Sequence, residues 1–378
     1  MRARYAHPLV LLSSFGMKGR KIHSAFLALL VCQGLCAQEK RFFFFRDLSY
    51  GSEAVHNPLT LLFNGGGDIL QSYQSPNRVD ELPWKLGATS VWRSISSPFH
   101  YVDQYGWGRF LSQEVFPTSL NVEKAQWIPN LFLHTIGGGM EFRKISEWYD
   151  YHGYPVPYIL GAFTTMSYHF LNELIENGDG IHPNTDAIAD LLIFDPLGIV
   201  LFSSDGISEF FAVTLSLNDW SNQPAVSFRP FSVRNVGQAF VMKYPVSESK
   251  RTNIFFHFGK FALLGLSLKT DADESISFGC GATTTGIYIV DVQNGIPTKS
   301  TLIGAMAGIY YDRNNSLMAS LTVTDTFIER FKLNVYPGVL FSSQFSPGIF
   351  LALEQGGTFG VGVSLPLLPI GVSAYQPR

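Results

Sequence analysis

Two hydrophobic periods divide the chain. Between His134 and Phe202 apolar residues recur at helical spacing, and from about Ser208 onward they alternate with polar or small residues at every second position. The central stretch predicts three helices. The first opens at His134, passes through Gly137, Gly138 and Gly139, and carries Arg143 and Glu147 one turn apart. It ends at Tyr151-His-Gly153 and Pro155, because Gly and Pro stop helices. The second runs from Pro157 to about Glu176, with Ile159, Phe163, Met166, Phe170 and Leu174 on an apolar face. Thr165, His169, Asn172 and Glu176 form its polar stripe, and Glu173 stands four residues beyond His169. After a loop containing His182, the third helix takes Asn184 or Thr185 as its cap. It carries Asp186 and Asp190 and is expected to kink or end at Pro196.

The later alternation predicts strands. Leu264, Leu266 and Leu268 alternate with Gly265, Ser267 and Lys269, and Phe331, Leu333 and Val335 with Arg330, Lys332 and Asn334. Phe359, Val361, Val363 and Leu365 alternate with glycine and serine, and Leu317, Ala319, Leu321 and Val323 with Ser316, Ser320 and Thr322. Turn signals part the runs at Ser247–Ser249, Asp271–Asp273, Gln293–Gly295, Asp312–Asn315 and Glu354–Gly357. About ten to twelve strands joined by short turns fit an antiparallel β-barrel of the outer-membrane type, with the leucines and valines turned to lipid. A soluble β-sandwich gives a similar alternation.

Composition favours the membrane side of that choice. The 378 residues are 46% hydrophobic and 15% charged, with 32 Phe and 16 Tyr, against roughly 25% charged in ordinary soluble domains. No apolar run is long enough for a simple spanning helix. Before Gln38 a basic segment (Lys18, Arg20, Lys21), a short apolar core from Ala25 to Val31 and the small-residue site Leu35-Cys-Ala37 follow in the order of a secretory signal. Removing residues 1–37 takes five basic residues and no acidic one, so the formal charge of −3 becomes −8. An acidic balance argues against nucleic acid as a partner. Cys280 alone then remains, so no disulfide forms within the chain.

The expected organisation is a signal over 1–37, an aromatic-rich region over 38–130, an apolar helical segment over 131–204 and barrel strands over 205–378. Five of the six Trp precede residue 150, and Trp suits a membrane–water interface as well as a packed core. Leu59 to Phe63, followed by Asn64 and three glycines, reads as a strand and a turn.

The blocks His134-x3-Gly138, Arg143, Tyr151-His-Gly153, Asn172-Glu173, Pro183-Asn-Thr-Asp186 and Asp195-Pro-Leu-Gly198 resemble an uncharacterised bacterial outer-membrane family, in which a helical block precedes barrel strands. The resemblance covers residues 120–205. It implies an outer-membrane or periplasmic location and no particular activity.

Ionisable groups in such apolar helices need partners. The candidate buried polar cluster is His134, Arg143, Glu147, His169, Asn172, Glu173, His182, Asp186 and Asp190. His169 with Glu173 and His182 with Asp186 are each four apart, a spacing that suits two ligands of one metal. The competing reading is mutual charge pairing, with Arg143 set against Asp186 or Asp190. No nucleophile or phosphate-loop motif is present, and no cofactor is expected. The resulting expectation is an outer-membrane barrel in contact with lipid, structural or serving passage or binding of an envelope component. The alternatives are a membrane-associated enzyme acting on lipid or cell-wall material and a soluble periplasmic binding module.

Overall fold

The computed structural model describes residues 41–72, 78–120, 126–179, 185–229, 231–246, 251–293, 296–341, 346–366 and 368–376. The segment 1–37, His182 and its loop, and the turn at Ser247–Ser249 lie outside these residues.

Helices come first. They are α1 (Pro58–Gly66), α2 (Trp84–Ser96), α3 (Pro98–Tyr105), α4 (Gly138–Tyr151), α5 (Pro157–Glu176), α6 (Asp186–Phe202) and α7 (Asp205–Thr214), with shorter turns between. No single helix among the described residues is long and apolar enough to cross a membrane, and α6 and α7 are bent by 87° between them.

The expected strand at Leu59–Phe63 is helix α1. Asn57 Oδ1 accepts from Leu59 N and Thr60 N at 3.0 Å, and Pro58 fills the first turn. The glycines that suggested a turn serve close packing instead, since a Cβ on Gly65 would lie 2.2 Å from the Tyr168 ring of α5. The aromatic-rich region is therefore mainly helical.

Helix α4 does not begin at His134. It continues a π-helical stretch, Asn130–Gly137. Nor does Pro196 end α6. A π turn at Asp190–Phe194 precedes it, so the missing N–H falls where the hydrogen-bond register changes.

The strands are β1 (Asn218–Asp219), β2 (Ala225–Phe228), β3 (Phe231–Arg234), β4 (Ala239–Pro245), β5 (Thr252–Gly259), β6 (Phe261–Lys269) and β7 (Glu274–Gln293). They continue as β8 (Ile296–Arg313), β9 (Ser316–Thr324), β10 (Glu329–Val335), β11 (Gly348–Glu354), β12 (Phe359–Ser364) and β13 (Gly371–Tyr375). They form one sheet of 13 strands in the order β1-β4-β5-β6-β7-β8-β9-β10-β11-β12-β13-β2-β3. Every pair is antiparallel except β13 with β2, so the sheet is mixed rather than wholly antiparallel. Among the described residues no ladder joins its end strands, β1 and β3.

Side chains alternate across this sheet with apolar groups outward. Leu264, Leu266, Phe278, Val361, Val363 and Val372 are exposed, while Ser267, Ser277, Asn334, Glu354 and Ser364 are buried. Leu317, expected outward, turns inward to pack on Tyr310 and Trp220. A bulge between Tyr311 and Asp312 shifts the pairing there, and a one-residue slip exchanges the two faces of a strand.

Candidate functional site

The π stretch before α4, the polar stripe of α5 and the π turn of α6 meet inside the helical part of the molecule. His134 Nδ1 lies 2.9 Å from Asp195 Oδ1, and His169 Nδ1 contacts the same oxygen. On the other side, His134 Nε2 stands 3.4 Å from Asp190 Oδ2. Asp190 and Asp195 are five apart, and the π turn between them brings both toward one face. A Cβ on Gly138 would lie 2.6 Å from His169 Cε1, so glycine there admits the imidazole. The same holds where α6 approaches, because a Cβ on Gly198 would lie 2.7 Å from Thr135 O.

Glu173 is buried beside this pair, and its Oε2 accepts from Asn177 Nδ2 at 3.0 Å. Donor atoms of His134, Glu173 and Asp190 lie within 4.8 Å of one another, as do those of His134, His169 and Asp195. Among the described residues, Asp190 Oδ1 is buried without a hydrogen-bond partner.

The electrostatics follow from the packing. Burial, then the negative charges of Asp186, Glu173, Asp195 and Glu114, push Asp190 well above the usual carboxylate range. Burial also works to raise Asp195, but the charges of His169 and His134 and their hydrogen bonds outweigh it, so its carboxyl lies low and ionised. Burial opposes charge on His134, yet Asp195 outweighs that and the imidazole is shifted upward, while His169 is shifted downward by burial.

A cavity of about 320 Å³ opens from this cluster. Phe132, Leu133, Phe256, Phe258 and Phe261 supply an aromatic and apolar wall. Asn172, Glu173, Glu176, Asp186 and Asp190 line the acidic end beside His134, and Asp68 and Lys260 also face the space. The chamber thus lies between helices α5 and α6 and strands β5 to β8.

Arg143 is not among these groups. The ion pairs described for it are with Glu147 at 2.8 Å and Asp205 at 2.8 Å, rather than with Asp186 or Asp190. The reason is direction: Arg143 and Glu147 share a face of α4 that meets the N-terminal segment, where Phe43 N, Phe44 N and Phe45 N donate to Glu147 at 2.9 Å. Asn172 Nδ2 donates to Gly65 O at 3.2 Å, and Asp186 is half-buried on the cavity wall. His169 meets Asp195, and Glu173 groups instead with His134 and Asp190. His182 lies outside the described residues.

A second buried cluster escaped the sequence reading. Lys144 Nζ lies 3.1 Å from Glu53 Oε1 and 3.6 Å from Asp219, and His56 Nδ1 lies 3.5 Å from Asp219. Glu141 is fully buried beside it. The available signal was the charge density of Glu141, Arg143, Lys144 and Glu147 in a helix otherwise dense in apolar residues.

Comparison with protein-family models, with curated proteins and with solved structures finds no match to the chain.

Proposed function

We propose that the chain is an outer-membrane-type β-barrel protein that holds an amphiphilic envelope molecule in the cavity between its helices and strands. The observation that carries this reading is the inverted polarity of the sheet. Leu264 is 62% exposed and Val372 50%, while Lys332, Asn334, Glu354 and Asp312 are buried on the opposite face. Leaving a side chain such as Leu or Val in water forgoes roughly 1.5–3 kcal/mol, so a whole sheet face of them calls for lipid. Two pairs of the buried charges meet there, with Lys243 Nζ 2.6 Å from Asp312 and Arg234 bound to Glu354.

Closure has a physical route. Strand β1 pairs with β4, and the same extended stretch continues through Trp220 N to Ala239 O at 2.8 Å and Asn222 N to Gly237 O at 3.0 Å. It then pairs with β13 as β2. In this reading residues 218–228 join the two ends of the strand order, and the parallel β13–β2 contact is the seam. An aromatic wall with an acidic end then suits an acyl chain carrying a cationic or hydrogen-bonding head. A continuous sheet of 13 strands, rather than two packed sheets, tells against the sandwich alternative.

Fractionation of cells expressing the chain tests the reading. The protein should stay with membranes through high salt and alkaline carbonate, leave them in detergent, and carry lipid visible by native mass spectrometry. Solubility without detergent overturns it. A second reading, an enzyme acting on lipid or cell-wall material, draws on one feature: His134 faces the cavity with Asp195 behind it, the orientation of a carboxylate-held general base. Turnover of envelope lipid that is lost in His134→Gln would favour this second reading.

A further inference from the structure

Three features of the acidic end converge on a bound cation. First, Asp195 Oδ1 holds His134 at Nδ1, 2.9 Å away, and the Nε2 on the far side of the ring is turned toward Asp190. That nitrogen and a carboxylate oxygen can face each other only with a proton or a metal ion between them. Second, the separation of His134 Nε2 and Asp190 Oδ2, 3.4 Å, is longer than an ordinary N–H···O hydrogen bond. It matches the edge of a coordination tetrahedron with bonds of about 2.1 Å, which is roughly 3.4 Å. Third, among the described residues Asp190 Oδ1 is buried without a hydrogen-bond partner, and it belongs to a residue lining the cavity.

We propose that His134, Glu173 and Asp190 form a site for a divalent cation of the zinc or manganese type, with its open coordination position toward the cavity. One imidazole and two carboxylates are the donor set that such ions take. Asp195, bonded to the far nitrogen of His134, plays the part of the carboxylate that fixes a ligating imidazole, and His169 shares that carboxylate. The second histidine-containing cluster offers a contrast. There Lys144 Nζ already supplies the positive charge, 3.1 Å from Glu53 and 3.6 Å from Asp219. The site stands apart from the membrane reading, since its geometry is the same whichever phase surrounds the strands.

The test is titration of the purified, chelator-stripped full chain with Zn²⁺, followed by calorimetry and elemental analysis, with Mg²⁺ as the oxygen-preferring comparison. About one Zn²⁺ per chain should bind, with Mg²⁺ far weaker. Asp190→Asn and Glu173→Gln should each lose binding by about 100-fold, and Asp195→Asn by about 10- to 100-fold. Glu141→Gln, in the other cluster, should bind as wild type does. His134→Gln removes a packed ring and risks misfolding, so Asp190→Asn is the deciding variant. It keeps the shape and relieves crowding among carboxylates, so circular dichroism should show an intact fold, and its melting temperature should no longer respond to Zn²⁺. The proposal is overturned if the stripped wild type binds no Zn²⁺, or if Asp190→Asn and Glu173→Gln bind it as tightly as wild type.

Discussion

Arg143 and Glu147 stand one turn apart on α4, with Nε 2.8 Å from Oε1, and both side chains are almost wholly buried. Glu147 is also the acceptor for three successive backbone N–H groups, those of Phe43, Phe44 and Phe45. The pair therefore ties the N-terminal segment to the helical block. Removing the cation strands a buried carboxylate, so Arg143→Ala should lower stability by about 3–5 kcal/mol. Asp205, the other partner, is 41% exposed, and Asp205→Ala should cost less than about 1 kcal/mol. Chemical denaturation with and without chelator checks both: the Arg143 effect should be the same in each, and a neutral Arg143→Ala would refute the tie.

The Lys144 cluster predicts strong coupling. Lys144 and the Glu53 side chain are fully buried. Lys144→Met should cost about 3–5 kcal/mol, because it removes the buried cation shared by Glu53 and Asp219 and leaves Glu53 only the part-exposed Arg46 and Asp219 only His56. Adding Glu53→Gln should recover part of the loss, so the double-mutant cycle is non-additive. Strict additivity would mean that the two groups do not interact.

Asp68 predicts a pH dependence. Burial, opposed in part by Lys260 and by the hydrogen bond from Gln238, raises its carboxyl to about 6. A carboxyl whose folded value is raised binds more protons folded than unfolded between pH 4 and 6, so its contribution falls as pH rises through that window. Asp68→Asn keeps the acceptor for Gln238 N and should be more stable than wild type at pH 8 by about 3 kcal/mol, with the difference gone near pH 4. Urea midpoints of the two proteins across that range are the measurement. A constant difference would assign the effect to packing instead.

The membrane reading predicts a sharp contrast at Leu264. On a lipid-facing wall near mid-bilayer, Leu264→Arg should cost about 2–4 kcal/mol for folding into vesicles. In water an exposed substitution of this kind usually stays within about 0.5 kcal/mol. Tolerance of arginine at this position in vesicles would count against a lipid-facing sheet.

Gly87 inverts the usual helix propensity. An alanine in an exposed helix interior gains about 1 kcal/mol over glycine. Here the added Cβ would meet the carbonyl oxygen of Leu174 at 1.9 Å, and backbone cannot rotate away. Gly87→Ala in α2 should therefore destabilise by about 1–3 kcal/mol. A stabilising result in thermal melts would show that α2 and α5 are free to separate.

Short-range order was legible in the chain itself. The period of 3.6 placed α5 from Pro157 to Glu176, and the period of two placed β6, β10 and β12 with their apolar sides outward. The pair Asn314 and Asn315, both at positive φ, made the β8–β9 hairpin visible, because asparagine tolerates that conformation. These features depend on neighbours a few residues apart, and composition reports them directly. The identity of charge partners does not. Spacing of i and i+4 pointed to His169 with Glu173, whereas His134 finds Asp195 across 61 residues of sequence. Two π stretches rotate His134, Asp190 and Asp195 onto facing surfaces, and glycine at 138 and 198 lets those surfaces close. A one-residue slip in a helix or a bulge in a strand redirects every side chain beyond it, and packing selects where that slip occurs. Helix α5 and strands β6, β10 and β12 were thus determined locally, while the site was decided by which faces the fold pressed together.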